Sequence, residues 1–253
     1  MEKNSISLSS PPSPTRSSAD RRETIWLIAA AIGIAPVALA GAAIGLLLSG
    51  AFSRGDVGIR HLSVWMLVTA QMSGYLFLSA YVLLIIKNIW RRSFAELGFA
   101  VPSLRQVGTA LLGAAAMIVV VTLLAQLVQT LSHARHEQQA VQIFRMIHDR
   151  TLVAYFALMA TLAAPFTEEL TFRVFIFNVG RRVMPLWGAA IVSGALFALA
   201  HQDPFVFIPL TAGGVILCAV YVRTANAWMS MITHACFNGF TLAVLFIAPR
   251  STL

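Results

Sequence analysis

The chain has 253 residues, of which 58% are hydrophobic and 11% are charged, and its mean hydropathy is +0.78. A soluble globular domain carries about 25% charged residues, so this composition excludes an ordinary soluble protein. The net charge of +8 does not indicate a nucleic-acid partner, because the Lys and Arg residues lie between apolar runs and form no basic face interleaved with aromatic side chains.

The N-terminal segment, residues 1–23, is rich in Ser and Pro and has no apolar periodicity. Such a segment buries too little surface to offset the entropy of ordering, so we expect a disordered cytoplasmic tail. The apolar run at 25–48 is long enough to cross a hydrocarbon core of about 30 Å and predicts the first span. Arg21 and Arg22, with Ala-Leu-Ala at 38–40, also fit a cleaved signal peptide. That alternative is weaker because the apolar run continues to residue 48.

Six more apolar runs predict six more membrane spans. They cover residues 62–86, 107–131, 152–179, 184–200, 205–222 and 227–248. The sequence therefore predicts an all-α, polytopic bundle of about seven transmembrane helices. Its parts are three N-terminal helices within 24–131, an external or interfacial segment at 132–150 and a C-terminal core at 151–248.

The distribution of basic residues predicts the orientation of the bundle. With the N-terminus inside, eleven Lys and Arg residues fall on the inner side and six on the outer side. Cytoplasmic loops carry an excess of such residues, so we expect a cytoplasmic N-terminus and, after seven spans, an external C-terminus. We expect an integral protein of the plasma (inner) membrane.

The fourth predicted span carries three ionisable side chains, Glu168, Glu169 and Arg173. Each would cost about 2.5 to 3.5 kcal/mol at the centre of a lipid-facing helix, so the three must be paired or solvated. Glu169 and Arg173 are four residues apart, on one helix face, and we expect them to pair as structural support. Glu168 points away from Arg173 and needs a polar cavity formed by other helices.

Two later spans supply polar partners for that cavity. His201 ends the fifth predicted span, and His234 and Asn238 lie one turn apart on the seventh. A single buried histidine is more often structural than catalytic. A carboxylate, two imidazoles and a carboxamide confined to three spans, however, form the acid-base set that hydrolysis requires.

These residues form three short motifs, EExxxR at 168–173, FxxxH at 197–201 and HxxxN at 234–238. Their order and membrane setting resemble the CPBP family of intramembrane proteases, which includes the type II CAAX prenyl proteases and the bacteriocin-processing (Abi) proteins. The resemblance covers roughly residues 150–245 and leaves the first three spans without a motif.

The resemblance implies an intramembrane endopeptidase that cleaves a membrane-tethered or prenylated (CAAX-type) protein or peptide. It implies that Glu168 and His201 activate water, and that His234 and Asn238 stabilise the oxyanion. The alternative is a metalloprotease in which Glu168, His201 and His234 hold a zinc ion. The chain lacks the HExxH sequence that favours zinc, so we expect metal-independent glutamate chemistry and no cofactor.

Two other functions fit a membrane bundle with intramembrane charges. One is a non-catalytic scaffold or immunity protein with the same fold. The other is a proton-coupled transporter, since intramembrane Glu, His and Arg also mark ion pathways. The lack of evident inverted repeats and the concentration of ionisable residues in one half disfavour transport. In the protease interpretation, the partners are the lipid bilayer and a membrane-tethered substrate.

Overall fold

A computed structural model describes residues 18–50, 62–134 and 136–247. The described residues form eight helices and no strand. These are α1 (Ser18–Leu48), α2 (Val64–Trp90), α3 (Leu104–Ser132), α4 (Gln139–Met146), α5 (Arg150–Gly180), α6 (Leu186–Ala200), α7 (Phe207–Thr224) and α8 (Ala227–Ile247). A short 3₁₀ turn, Pro204–Val206, precedes α7. The predicted all-α, polytopic fold is confirmed.

Six of these helices are long and apolar enough to cross a membrane, which identifies an integral membrane protein. They are α1, α2, α3, α5, α7 and α8. The span formed by α7 also includes the preceding 3₁₀ turn and so begins at Pro204. The remaining predicted span, at 184–200, corresponds to α6, which is apolar but has only 15 residues. The bundle thus consists of six full-length spans and one shorter apolar helix.

The first helix begins earlier than the sequence indicated. Residues 18–23, which we assigned to the disordered tail, form the first turns of α1, so this boundary is corrected to Ser18. Two contacts explain the difference: Glu23 forms an ion pair with Arg182 at 3.1 Å, and the Thr24 hydroxyl donates to the Asp20 carbonyl oxygen at 2.8 Å. The rest of the predicted tail, residues 1–17, lies outside the described residues.

The segment between the N-terminal helices and the C-terminal core contains the amphipathic helix α4. Its Phe144 and the following Ile147 are buried against Phe156 of α5. Its polar side is held by an ion pair between Glu137 and Arg145, at 2.8 Å. This is the segment that we predicted to be external or interfacial, and the side of the membrane on which it lies stays a prediction.

Helix α5 lies at the centre of the C-terminal core, where it contacts α2, α6, α7 and α8. Helices α6 and α7 are themselves packed closely against each other. A Cβ atom added to Gly214 of α7 would lie 2.5 Å from the Gly194 Cα atom of α6, and one added to Gly194 would lie 2.6 Å from the Thr211 carbonyl oxygen. Only glycine permits this approach, which is how small residues bring membrane helices together.

Candidate active site

Helix α5 is not a regular α-helix where it carries the ionisable residues. Two π-helical stretches, Met159–Ala163 and Leu170–Phe177, flank a short α-helical stretch, Ala164–Glu169. Both glutamates lie at the end of that short stretch. A π-helical stretch adds a residue to a helical turn and so rotates the side chains that follow it. Such stretches are frequent at functional sites.

The first π-helical stretch frees a backbone carbonyl group inside the bundle. The Ala164 amide donates to the Met159 carbonyl oxygen instead of to Ala160. The next bond of the π pattern would come from Pro165, which has no amide hydrogen. The Ala160 carbonyl oxygen is therefore left for another donor, and it accepts a hydrogen bond from Asn238 Nδ2 of α8 at 2.7 Å.

Glu169 and Arg173 form an ion pair within α5. Arg173 Nη1 lies 3.0 Å from Glu169 Oε1, and both side chains are completely buried. The guanidinium Cζ atom lies 4.6 Å from the ring centroid of Phe197, a cation-π arrangement. Gly214 leaves room for this group, because a Cβ atom there would lie 3.2 Å from Arg173 Nη2. The charges of Glu169 and Arg173 thus balance each other within the protein interior.

Glu168 has different neighbours from Glu169. Its Oε1 atom accepts a hydrogen bond from the Tyr75 hydroxyl of α2 at 3.0 Å, and its Oε2 atom lies 3.7 Å from His234 Nε2. The Glu168 side chain retains 14% of its exposure, whereas Glu169 has none. Glu168 is therefore a partly accessible carboxylate that contacts two other helices and no cation of its own helix.

His234 lies between the two glutamates. Its Nδ1 atom is 3.0 Å from Glu169 Oε1, and its Nε2 atom faces Glu168. Because a carboxylate only accepts hydrogen bonds, the Nδ1 atom carries a proton and donates it to Glu169. The ring also packs edge-to-face on Phe197, with 5.7 Å between ring centroids. These contacts fix the imidazole in one orientation.

Phe197 contacts both histidines and the buried arginine. Besides His234 and Arg173, it packs edge-to-face against His201, with 4.9 Å between ring centroids. His201 Nδ1 donates to the Phe197 carbonyl oxygen at 2.9 Å, which leaves Nε2 without a proton in the neutral ring. His201 is exposed, and its described contacts are with Phe197, not with Glu168.

The zinc alternative requires Glu168, His201 and His234 around a single ion. Within 18–50, 62–134 and 136–247, no three His, Cys, Asp or Glu side chains lie close enough together to hold a metal ion. His234 Nδ1 is already bound to Glu169. The described side chains therefore do not fit the three-ligand site.

Two site residues were missed by the sequence interpretation, which found no motif in the first three spans. Tyr75 contacts Glu168, and Ser79 forms a hydrogen bond with the Thr167 hydroxyl at 2.8 Å. The available signal was their spacing: Tyr75 and Ser79 are four residues apart in a mostly apolar span and so lie on one helix face. Their partner helix could not be read from the sequence.

A known protein family matches this C-terminal core. Residues 150–240 match the family model described as type II CAAX prenyl endopeptidase Rce1-like. No solved structure matches the chain.

Known relatives match over a similar length. Over 106 residues, the chain is 34% identical to the membrane-embedded CAAX protease MroQ of Staphylococcus aureus (strain USA300), covering 39% of this chain and 42% of that protein. Over 96 residues, it is 26% identical to the putative membrane peptidase YdiL of Bacillus subtilis (strain 168), covering 38% and 39%. It is 33% identical over 97 residues to the UPF0177 protein YvdC of Lactococcus lactis subsp. lactis (strain IL1403), covering 38% and 36%.

The matched region thus spans about two fifths of each relative's own length. The family model's range, residues 150–240, includes Glu168, His201, His234 and Asn238 but not Tyr75. The resemblance indicated by the three motifs is confirmed. Residues 150–240 thus resemble the Rce1-like group of membrane proteases, which supports the similarity to the CPBP family.

Proposed function

We propose that this protein is an intramembrane endopeptidase that hydrolyses a peptide bond in a membrane-tethered or prenylated protein or peptide. The observation that carries the proposal is the contact between Glu168 and His234, with 3.7 Å between Oε2 and Nε2. The adjacent Glu169 is already paired with Arg173. Of the two adjacent glutamates, Glu168 is therefore the one that is free to exchange a proton with water.

In the proposed reaction, Glu168 is the general base and later the general acid. Its carboxylate removes a proton from a water molecule as the oxygen atom attacks the scissile carbonyl carbon. The resulting tetrahedral intermediate collapses when the C–N bond breaks, and Glu168 returns the proton to the leaving amine. His201, whose Nε2 lacks a proton in the neutral ring, supports the water as a hydrogen-bond acceptor.

His234 and Asn238 are proposed to stabilise the oxyanion. His234 can do so only as an imidazolium, because its Nδ1 proton is used by Glu169 and a second proton on Nε2 must face the oxyanion. One N–H of the Asn238 amide group is used by the Ala160 carbonyl oxygen, and the other remains for the intermediate. Each hydrogen-bond donor fixed in this way stabilises the transition state by about 3 to 4 kcal/mol.

The proposed substrate is a CAAX-type or other membrane-tethered peptide. One relative is named a CAAX protease, and the family model that matches residues 150–240, where the three motifs lie, is described as a type II CAAX prenyl endopeptidase. The bilayer serves as the second partner, since a tethered substrate reaches an intramembrane site by lateral diffusion. A prenyl chain would add membrane affinity of about 0.8 kcal/mol for each buried CH₂ group.

The decisive experiment is cleavage of a reconstituted substrate by the Glu168→Gln variant. The purified protein is placed in liposomes with a farnesylated CAAX peptide, and the same peptide without the lipid serves as the comparison. Glutamine keeps the shape and removes the base, so the rate should fall about 100-fold or more while thermal unfolding is unchanged.

Glu96→Gln is the matched control, because Glu96 lies on an exposed loop and pairs with Arg92. It should cleave at the wild-type rate. Full activity in Glu168→Gln would overturn the proposal and favour the non-catalytic scaffold. Chelators should leave the rate unchanged if the chemistry is that of a glutamate base, whereas a zinc enzyme would lose activity.

The proposal includes an orientation in the plasma (inner) membrane with a cytoplasmic N-terminus. Single cysteines at Ser5 and Ser251, in a background without Cys218 and Cys236, report which side each terminus faces. Seven membrane-crossing helices predict labelling from opposite sides. Labelling from one side would mean that α6 does not cross the bilayer.

A further inference from the structure

Helix α2 contributes a side chain to the candidate site, although it lies outside the region that matches the family model. The Tyr75 hydroxyl donates a hydrogen bond to Glu168 Oε1 at 3.0 Å. The two residues are 93 positions apart in the chain. The contact therefore depends on how the N-terminal helices pack against the C-terminal core.

The contact belongs to a polar stripe on α2 made of Gln71, Tyr75 and Ser79. These residues are spaced by four and share one helix face. Gln71 lies one turn before Tyr75 on that face, and the Ser79 and Thr167 hydroxyl groups lie 2.8 Å apart. Two successive turns of α2 thus bind two successive residues of α5, which fixes the position of α5 where it carries Glu168.

The two oxygen atoms of the Glu168 carboxylate consequently have different environments. Oε1 is occupied by the tyrosine hydroxyl, and Oε2 faces His234. A carboxylate can rotate about its last side-chain bond, and a hydrogen bond to one oxygen restricts that rotation. The restriction keeps Oε2 on the side where His234 and Asn238 approach α5.

We propose that Tyr75 is a positioning residue that holds Glu168 with Oε2 directed toward the water to be deprotonated. This inference rests on the proposed function and extends it to the N-terminal half of the chain. Tyr75 touches neither the water nor the scissile bond and acts only through Glu168. The first three helices then do more than anchor the core, because α2 determines which oxygen atom serves as the base.

The test is the Tyr75→Phe variant, measured in the same liposome assay. Phenylalanine keeps the ring and removes only the hydroxyl group, so we expect the protein to fold. We expect kcat to fall roughly 10- to 100-fold, the usual effect of losing a hydrogen bond to a charged group, with KM nearly unchanged. In the Glu168→Gln background, the same change should cause little further loss of rate, because the group that Tyr75 positions is absent.

The chain offers a matched control on the same helix. The Tyr81 hydroxyl donates to the Ala30 carbonyl oxygen of α1 at 2.8 Å, away from Glu168. Tyr81→Phe also removes one hydroxyl hydrogen bond from α2 and should leave kcat unchanged. Ser79→Ala, which breaks the neighbouring contact with Thr167, tests whether any loosening of the α2–α5 interface has the same effect.

The outcomes separate this inference from the proposed function. If the wild-type protein cleaves the peptide and Tyr75→Phe keeps its kcat, the positioning role is wrong and the protease assignment stands. An equal loss in Tyr75→Phe and Tyr81→Phe, or an undiminished loss in the Glu168→Gln background, also overturns the positioning role. If the wild-type protein cleaves neither peptide, the proposed function fails and this inference fails with it.

Discussion

The two faces of α5 stabilise adjacent carboxylates in different ways. On the ion-pair face, Glu169 and Arg173 are completely buried and balance each other's charge within one helix. On the site face, Glu168 keeps 14% of its side-chain exposure and contacts Tyr75 and His234 from two other helices. His234 touches both faces, because its two ring nitrogens are directed to the two glutamates.

The proposed function assigns a structural role to Glu169 and a chemical role to Glu168, and their different surroundings are consistent with that division. A carboxylate neutralised by its own helix has little freedom to exchange a proton, because losing its charge strands a buried cation. A carboxylate held by a hydroxyl group and an imidazole keeps one oxygen atom available. Two neighbouring glutamates thus have different surroundings, and substitutions on the two faces should have different effects.

The largest expected effect is on the ion-pair face. Arg173→Gln leaves Glu169 buried without its cation and should lower the free energy of unfolding by about 3 to 5 kcal/mol. Glu169→Gln with Arg173→Gln removes both charges and should recover much of that loss. Denaturant unfolding in detergent micelles measures both variants.

Arg182→Gln is the control for the ion-pair prediction. Arg182 and Glu23 form a partly exposed pair, which should contribute less than about 1 kcal/mol. A double variant no more stable than either single variant would contradict the pairing.

A smaller effect is expected where the two faces meet. His234→Ala removes the ring that contacts both glutamates, and loss of one oxyanion donor should reduce kcat by about 10² to 10³. The effect on KM should be slight, because the interaction forms mainly in the transition state. His148→Ala, an exposed histidine outside the core, is the control. If His234→Ala raises KM and leaves kcat unchanged, His234 binds the substrate instead.

The smallest expected effect concerns the close packing of Gly214 against α6 and Arg173. Gly214→Ala places a Cβ atom 2.5 Å from the Gly194 Cα atom and 3.2 Å from Arg173 Nη2. Overpacking of this kind should destabilise the protein by about 1 to 3 kcal/mol. Gly108→Ala on α3 is the matched control, because its Cβ atom would have no neighbour within 4 Å. Equal stability of the two variants would show that α6 and α7 separate readily.

The spans and the internal ion-pair spacing could be predicted because each depends on residues close in sequence. Hydropathy alone located the membrane helices, and the four-residue separation placed Glu169 and Arg173 on one face. The start of α1 at Ser18 was missed because it depends on Arg182, which is distant in sequence and contacts Glu23. Local composition contains no information about such a contact.

The site could be predicted only as a set of residue types. The motifs identified Glu168, His201, His234 and Asn238, but not the roles of their individual atoms. Asn238 donates one N–H to the Ala160 carbonyl oxygen because a π-helical stretch and Pro165 leave that oxygen without a backbone donor. The hydrophobic periodicity of the sequence does not reveal a π-helical stretch. The contact with Tyr75 depends on the packing of α2 against α5. The catalytic roles of the four motif residues stay predictions.

The shortness of α6 has a consequence for the supply of water. Its 15 residues rise about 22 Å, less than the roughly 30 Å of a hydrocarbon core. Local thinning of the bilayer is one way in which a membrane accommodates such a short apolar helix. That end carries His201, followed by Gln202 and Asp203. The proposed hydrolysis consumes one water molecule per bond, and a bilayer thinned beside α6 would shorten the path of that water from bulk solvent to His201.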